Sequence, residues 1–250
     1  MPPKIQVQLL SNLFHHRLVD EGNFTNVHKH HVLPYEALKR HRVDCADGSF
    51  FDLPPDSDEL FQPHDKHFHK PFSAYDFFSS KFRWMTLGGQ YDWTLKEYPK
   101  DKTTPFPSDI ANFVRTLFSD VRPEAAIMNV YKSGDYLSMH RDVSEECDNP
   151  LVSFSFGCDG IFIAGLQSEE DTAPRYVVLR LHSGDAIYLS GPSRFAWHGV
   201  PQILANTCPD WLKDWPYTSE LHGDDRNNFA AWRGWMANKR VNLSVRQIES

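Results

Sequence analysis

The chain has 250 residues, 40% of them hydrophobic, enough for one large domain with a real core. Its formal net charge of -7, from 33 acidic against 26 basic residues, excludes a protein that grips polyanions by its overall field; a nucleic-acid partner would need a local basic patch. Four irregularly spaced cysteines (Cys45, Cys147, Cys158, Cys208), no apolar signal segment near Met1 and no run of ~20 apolar residues argue against a disulfide framework, secretion and membrane insertion.

A soluble, monomeric, intracellular protein is therefore expected, in the nucleus or cytoplasm, with the mitochondrion left open. Residues 1–80 are rich in His, Pro, Asp and Phe and hold no sustained period beyond a short helical stretch at 33–41. They are expected to form an irregular arm packed on a core that occupies 81–250. The arm's histidines recur with no carboxylate or cysteine at a ligand spacing, so they read as packed or solvated rather than as a metal site. FRWMTLGGQYDW, from Phe82 to Trp93, alternates bulky and polar residues and predicts a β-hairpin, or a bulged strand, turning at Gly88-Gly89. Pro107-Ser108-Asp109 then opens a helix, DIANFVRTLF, with Ser108 as N-cap.

Beyond Arg122-Pro123 come short apolar runs separated by glycine turns: AAIMNVY, LVSFSFG, GIFIAGL, RYVVLRLHSG, DAIYLSG and RVNLSVRQI. No helix-period segment lies between them, which predicts a mainly β fold with flanking helices and a sandwich or double-stranded β-helix (jelly-roll) core, not βαβ units. An insertion at 200–239, first loop-like and then helical over FAAWRGWMANKR, precedes the last strand.

Within this β region stands His140-x-Asp142, followed later by His198. Two imidazole nitrogens and one carboxylate oxygen on one side of a metal leave the other positions open, as non-haem Fe(II) and O2 chemistry requires. Residues two apart share a side of an extended segment, so His140 and Asp142 can reach one ion. The pattern alone is weak, for His222-Gly223-Asp224 repeats it in a Gly- and Asp-rich loop without a scaffolding strand. His182 is the rival third ligand, but it abuts the hairpin turn Ser183-Gly184-Asp185. The closing strand places Arg240, Asn242, Ser244 and Arg246 on one face by the period of two. Such a face either meets water at a sheet edge or, if buried, calls for an anion, and a small dicarboxylate suits paired guanidinium groups. Asn129 and Tyr131 share a face of the preceding AAIMNVY run.

In this order, N-x-Y, H-x-D, PLVSFSFG, S-G-D, S-R-x-x-x-H-G-V and R-x-N-x-S-x-R resemble the AlkB family of Fe(II)- and 2-oxoglutarate-dependent nucleic-acid dealkylases, over residues 82–248. WMTLGGQYDW followed by TPFPSDI is similar to the eukaryotic homologue-one branch. The resemblance implies that His140, Asp142 and His198 bind iron. It implies that Arg240, Asn242 and Arg246, helped by Asn129 and Tyr131, bind 2-oxoglutarate. It also implies that O2 is consumed in hydroxylating a methyl group on a base nitrogen, with methyladenine in DNA or RNA as the expected target. Such a base must be unpaired or flipped. Tyr91, Trp93 and Tyr98, on the lid hairpin expected at 82–100, are the candidate stacking platform. Arg141, Lys81 with Arg83, and Lys96, Lys100 and Lys102 are the candidate phosphate contacts. A protein hydroxylase or histone demethylase, and a jelly-roll binding module without turnover, are the competing readings.

Overall fold

The computed structural model describes residues 1–40, 48–100, 104–166, 175–217 and 227–249. Cys45, Lys102 and the second His-x-Asp pair, His222 and Asp224, lie outside the described residues. In chain order the elements are α1 (Pro3–Ser11), β1 (His31–Val32), α2 (Tyr35–Arg40), β2 (Gln62–Pro63), α3 (Ala74–Asp76), β3 (Trp84–Gly88), α4 (Ser108–Leu117), β4 (Ala125–Lys132) and β5 (Leu137–His140). They continue with β6 (Leu151–Gly157), β7 (Gly160–Leu166), β8 (Arg175–Leu181), β9 (Ala186–Leu189), β10 (Trp197–Ile203) and β11 (Lys239–Arg246).

Two antiparallel sheets, in the orders β3-β4-β11-β6-β9 and β5-β10-β7-β8, form the jelly roll. β11, the last strand of the chain, is the middle strand of the larger sheet, paired along its whole length with β4 and over seven residues with β6. Its alternation decides what each face does. Val241, Leu243 and Val245 are fully buried in the hydrophobic core, while Arg240, Asn242, Ser244 and Arg246 line the cavity between the sheets. The water-facing edge-strand alternative therefore does not apply to β11.

The segment expected to be irregular opens with a helix. α1 carries Pro3 at its first position, where a missing N–H costs nothing, and is prolonged by a wider turn over Asn12–Arg17. Val7, Leu10 and Phe14 are buried at helical spacing, a period that the wider turn interrupts. Phe14 and Phe51 join Phe78, Trp215, Trp232 and Trp235 in an aromatic cluster, with Phe51 and Phe78 stacked at 3.9 Å. Trp232 and Trp235 donate their indole N–H groups to the Leu53 and Phe78 carbonyls, so the 200–239 insertion is bound to residues 1–80. That insertion ends in two short 3-10 turns, Asn227–Trp232 and Trp235–Asn238, in place of the expected helix; Gly234, at φ 84°, separates them.

Two further expectations are corrected. Ser108 is the first helical residue of α4 and Pro107 holds the cap position without a side-chain bond. Between Phe82 and Trp93 the strand is β3 alone, and the chain does not turn back at Gly88-Gly89; the reversal within 82–100 comes later, where Asp92 and Glu97 pair antiparallel across residues 93–96. Gly88 takes φ 67° and the Gly89 N–H donates to the Glu124 carbonyl (2.9 Å), drawing the chain away from β3. Both sides of β3 are already occupied: β4 pairs on one, and on the other Thr25 bridges Met85 while the Thr86 N–H donates to the Phe24 carbonyl at 2.8 Å. Asn26 seals that edge. Its Oδ1 accepts from the Arg83 and Trp84 amides (2.8 and 3.2 Å) and its Nδ2 donates to the Lys81 carbonyl (2.7 Å). An otherwise open strand edge is thus covered by the chain's own N-terminal segment.

The turn that carries this contact depends on a neutral imidazole. His28 Nδ1 accepts from the Thr25 N–H (3.0 Å), which leaves Nε2–H for the Tyr35 hydroxyl (3.0 Å). Burial, above all, presses the His28 pKa down to about 4. The unfolded chain therefore takes up this proton first, so the stability His28 contributes is full above about pH 6.5 and is lost as pH falls toward about 4. Denaturant midpoints measured at pH 7, 6, 5 and 4 should fall across that window, and a His28→Gln variant should show a shallower fall.

Candidate active site

His140 and His198 are Cα partners on the neighbouring antiparallel strands β5 and β10, which sends both side chains to the same face. Their ring centroids lie 4.4 Å apart. Asp142 follows β5 immediately, with its carboxylate oxygens 3.9 Å from His140 Nε2 and 3.7 Å from His198 Nε2. Among the described residues this is the one group of three or more His, Cys, Asp or Glu whose donor atoms converge, all within 4.8 Å of one another. His182 sits apart at the β8–β9 turn, near Asp159 and Asp185.

Backbone carbonyls orient both rings. The Ser138 carbonyl accepts from His140 Nδ1 and the Ala196 carbonyl from His198 Nδ1, each at 2.9 Å. The proton is thereby fixed on Nδ1, and each Nε2 lone pair points at the shared space. Burial, the largest influence, holds the His198 pKa below its ordinary value, which favours the neutral, ligating form. Burial alone would raise the Asp142 pKa, but Arg246, the two imidazoles and Arg194 outweigh it and hold the carboxyl below the usual range. Two imidazole Nε2 atoms and one ionised carboxylate on one side of an open space are compatible with Fe(II).

Sequence reasoning missed the ion cluster behind Asp142. Arg246 Nη1 lies 2.9 Å from Glu145 Oε1 and 3.2 Å from Asp142 Oδ1. Arg194 donates to the other Glu145 oxygen (2.9 Å) and to the carbonyls of Asp142 (2.9 Å) and Asn149 (2.7 Å). Glu145 and Arg194 side chains are only 1% exposed. Arg194 belongs to the quoted S-R-x-x-x-H-G-V pattern, but nothing local in the sequence says that Glu145, some fifty residues earlier, will be its partner.

A cavity of about 520 Å³ opens from the triad between the sheets. Asn129, Tyr131, Arg240, Asn242 and Arg246 line it, as do Tyr91, Trp93 and Arg141. Asn242 Nδ2 donates to Ser153 Oγ (2.7 Å), and Ser244 Oγ donates to Asn242 Oδ1 (3.2 Å). Burial pushes the Tyr131 phenol up to about 12, so it is a neutral donor. Arg240 is the unbalanced group. Its Nη2 donates to Ser155 Oγ (2.9 Å), while its buried Nε and Nη1 have no partner, nor does Arg246 Nε. Burial without a carboxylate in contact lowers the Arg240 pKa, yet a guanidinium stays charged. An orphaned, charged, fork-shaped donor facing a cavity fits a carboxylate. The fit is close: a Cβ at Gly160 would stand 2.9 Å from Arg240 Nε and 3.2 Å from its Cζ.

The remaining candidates divide. Tyr98 does not line the cavity; it packs behind Tyr91, ring centroids 5.1 Å apart, and burial raises the pKa of its unpartnered hydroxyl. Arg83 is paired with Asp135 (2.7 Å) and Lys100 with Glu146 (3.5 Å), so these two cations answer to carboxylates of the chain itself. Lys81 is exposed, Lys96 reaches the cavity rim, and Arg141 lies over the Trp197 ring at 5.2 Å.

Residues 30–246 match the 2OG-Fe(II) oxygenase superfamily. The chain is 47% identical to the N6-methyladenosine RNA demethylase ALKB1 of Pyricularia oryzae, over 99% of this chain and 72% of that protein. It is 36% identical to the tRNA demethylase abh1 of Schizosaccharomyces pombe, over 98% of this chain and 75% of that one. Among solved structures it is similar to OsALKBH1, with a TM-score of 0.51 at 25% identity, over 66% of this chain and 77% of that chain. A jelly roll with a converging His-Asp-His set, a match across nearly all of the β region and these identities agree: the chain belongs to the 2OG-Fe(II) oxygenase superfamily, in the AlkB homologue-one branch.

Proposed function

We propose that the chain is an Fe(II)- and 2-oxoglutarate-dependent demethylase of N-methylated bases in nucleic acid, with N6-methyladenine in RNA as its preferred target. The observation that carries the reading is the convergence, in one cavity, of the His140–His198 cross-strand pair, Asp142 and the unpartnered guanidinium of Arg240. RNA is favoured over DNA because two relatives aligned over nearly the whole chain are RNA and tRNA demethylases by name.

In this reading His140, Asp142 and His198 hold iron, and Arg240 and Arg246, with Asn129, Tyr131 and Asn242, hold 2-oxoglutarate. Bound there, the two supply O2-driven hydroxylation of a methyl C–H bond, with succinate and CO2 as co-products. The chain's residues do the rest. The Ser138 and Ala196 carbonyls keep both imidazoles in the ligating tautomer, and Arg246 keeps Asp142 ionised. Leu137, Phe162, Leu189 and Val200 give the cavity apolar walls that exclude water. The aromatic rings of Tyr91 and Trp93 line the cavity, a lining suited to an unstacked base. The hydroxymethyl left on nitrogen is a hemiaminal, which breaks down to formaldehyde and the free amine.

Incubating the protein with Fe(II), 2-oxoglutarate and a panel of methylated RNA, DNA and peptides, read by mass, should show methyl loss from N6-methyladenine in RNA; loss from peptide alone overturns the reading. His140→Ala and Asp142→Ala should each abolish succinate formation while the circular-dichroism spectrum stays native, and retained turnover would remove the triad from the metal site. Gly160→Ala should raise the KM for 2-oxoglutarate about tenfold with iron affinity unchanged, through the crowding of Arg240.

A further inference from the structure

Beside the cavity just described lies a second, of about 430 Å³, whose lining includes Phe24, Lys29, Trp84, Gln90, Tyr91 and Trp93. Tyr91 and Trp93 line both, so they form a shared wall. The wall is thickened by Trp84, which stacks on Trp93 with ring centroids 3.6 Å apart and planes 24° from parallel. Lys29 Nζ stands 5.8 Å from each of the two indole centroids and, among the described residues, pairs with no carboxylate. Phe24, 44% exposed, lies over the His28 ring at 4.9 Å. Asp92, the acidic group of this lining, turns its Oδ1 onto the Thr94 and Leu95 amides (2.8 and 3.1 Å).

Several aromatic faces and one free ammonium around an open cavity make a site for a planar aromatic group that carries a negative charge. Stacking rewards any base, because every base has a π-face, and a lysine at the rim meets the phosphate next to it. Resting on the demethylase reading, we infer that this second cavity receives the base of the nucleotide adjacent to the reacting one, with Phe24 and Trp84 as stacking surface, Trp93 backing Trp84 from the other side, and Lys29 as phosphate contact. The strand would then straddle the Tyr91–Trp93 wall, one base on each side, which holds the reacting nucleotide unstacked from its neighbour. Phe24 and Lys29 come from the N-terminal segment that seals the edge of β3, ahead of the stretch that matches the superfamily.

The test uses RNA pentamers with a central N6-methyladenosine and an abasic residue on its 5′ or its 3′ side. Binding is read by fluorescence anisotropy for the wild type, Phe24→Ala, Phe24→Tyr and Lys29→Ala. For the wild type, one of the two abasic positions should weaken binding about tenfold. Phe24→Ala should shrink that difference to about threefold and Phe24→Tyr should keep it. Lys29→Ala should lower the slope of log Kd against log salt by about 0.7. Methyl loss from the isolated methylated nucleotide should be unchanged in all three variants. Equal binding of both abasic pentamers by the wild type, or an undiminished abasic penalty in Phe24→Ala, overturns the subsite. If the wild type removes no methyl group from any substrate but keeps a Phe24-dependent abasic penalty, the demethylase reading fails and the subsite stands.

Discussion

Arg194 and Arg246 can be buried here because Glu145 and Asp142 lie against them. A guanidinium taken out of water without a partner would cost several kcal/mol, and removing one partner of such a cluster typically costs about 3–5 kcal/mol. The four groups come from three places: the loop after β5, the turn ahead of β10, and the end of β11. Their mutual neutralisation fixes the mouth of the jelly roll, and Asp142 is a member of the cluster as well as of the triad. The carboxylate that would meet the metal is therefore oriented by charges whose own positions are set by the fold.

The same accounting separates the two arginines of β11. Arg246 is balanced within the chain, whereas Arg240, buried to the same degree, is left with two unpartnered donor nitrogens. A buried positive group that the chain itself does not neutralise is a standing demand for an anion. Gly160 keeps the neighbouring backbone clear of it.

Much of this was legible in the sequence for a simple reason: strands alternate. The period of two put Arg240, Asn242, Ser244 and Arg246 on one face of β11, and Asn129 and Tyr131 on one face of β4, without saying whether either face met water; short runs between glycine turns predicted the β core. The triad became readable only once its pattern was tied to a strand, since His222 and Asp224 repeat it elsewhere. What escaped depended on contacts distant in sequence. Glu145 and Arg194 find each other through folding, and neither carries a local mark of it. Gly88-Gly89 looked like a hairpin turn because two glycines permit one; the Glu124 carbonyl and the Thr25–Met85 bridge decided otherwise. α1 was overlooked because its apolar spacing runs into the wider turn at Asn12–Arg17, and the helix expected near Trp232 is divided by Gly234.

The placement of Phe24, Thr25 and Asn26 along β3 also bears on how small this enzyme can be made. A chain trimmed to residues 30–246 would keep His140, Asp142 and His198 and all the cavity-lining residues of β4, β6 and β11. It would also strip the outer edge of β3, leaving the Thr86 amide and the Arg83 and Trp84 amides to find new acceptors. An uncovered edge beside Met85 and Leu87 is a template for pairing with another molecule. The stretch that matches the superfamily is thus shorter than the stretch that closes the edge of β3, and the difference lies in Phe24, Thr25 and Asn26.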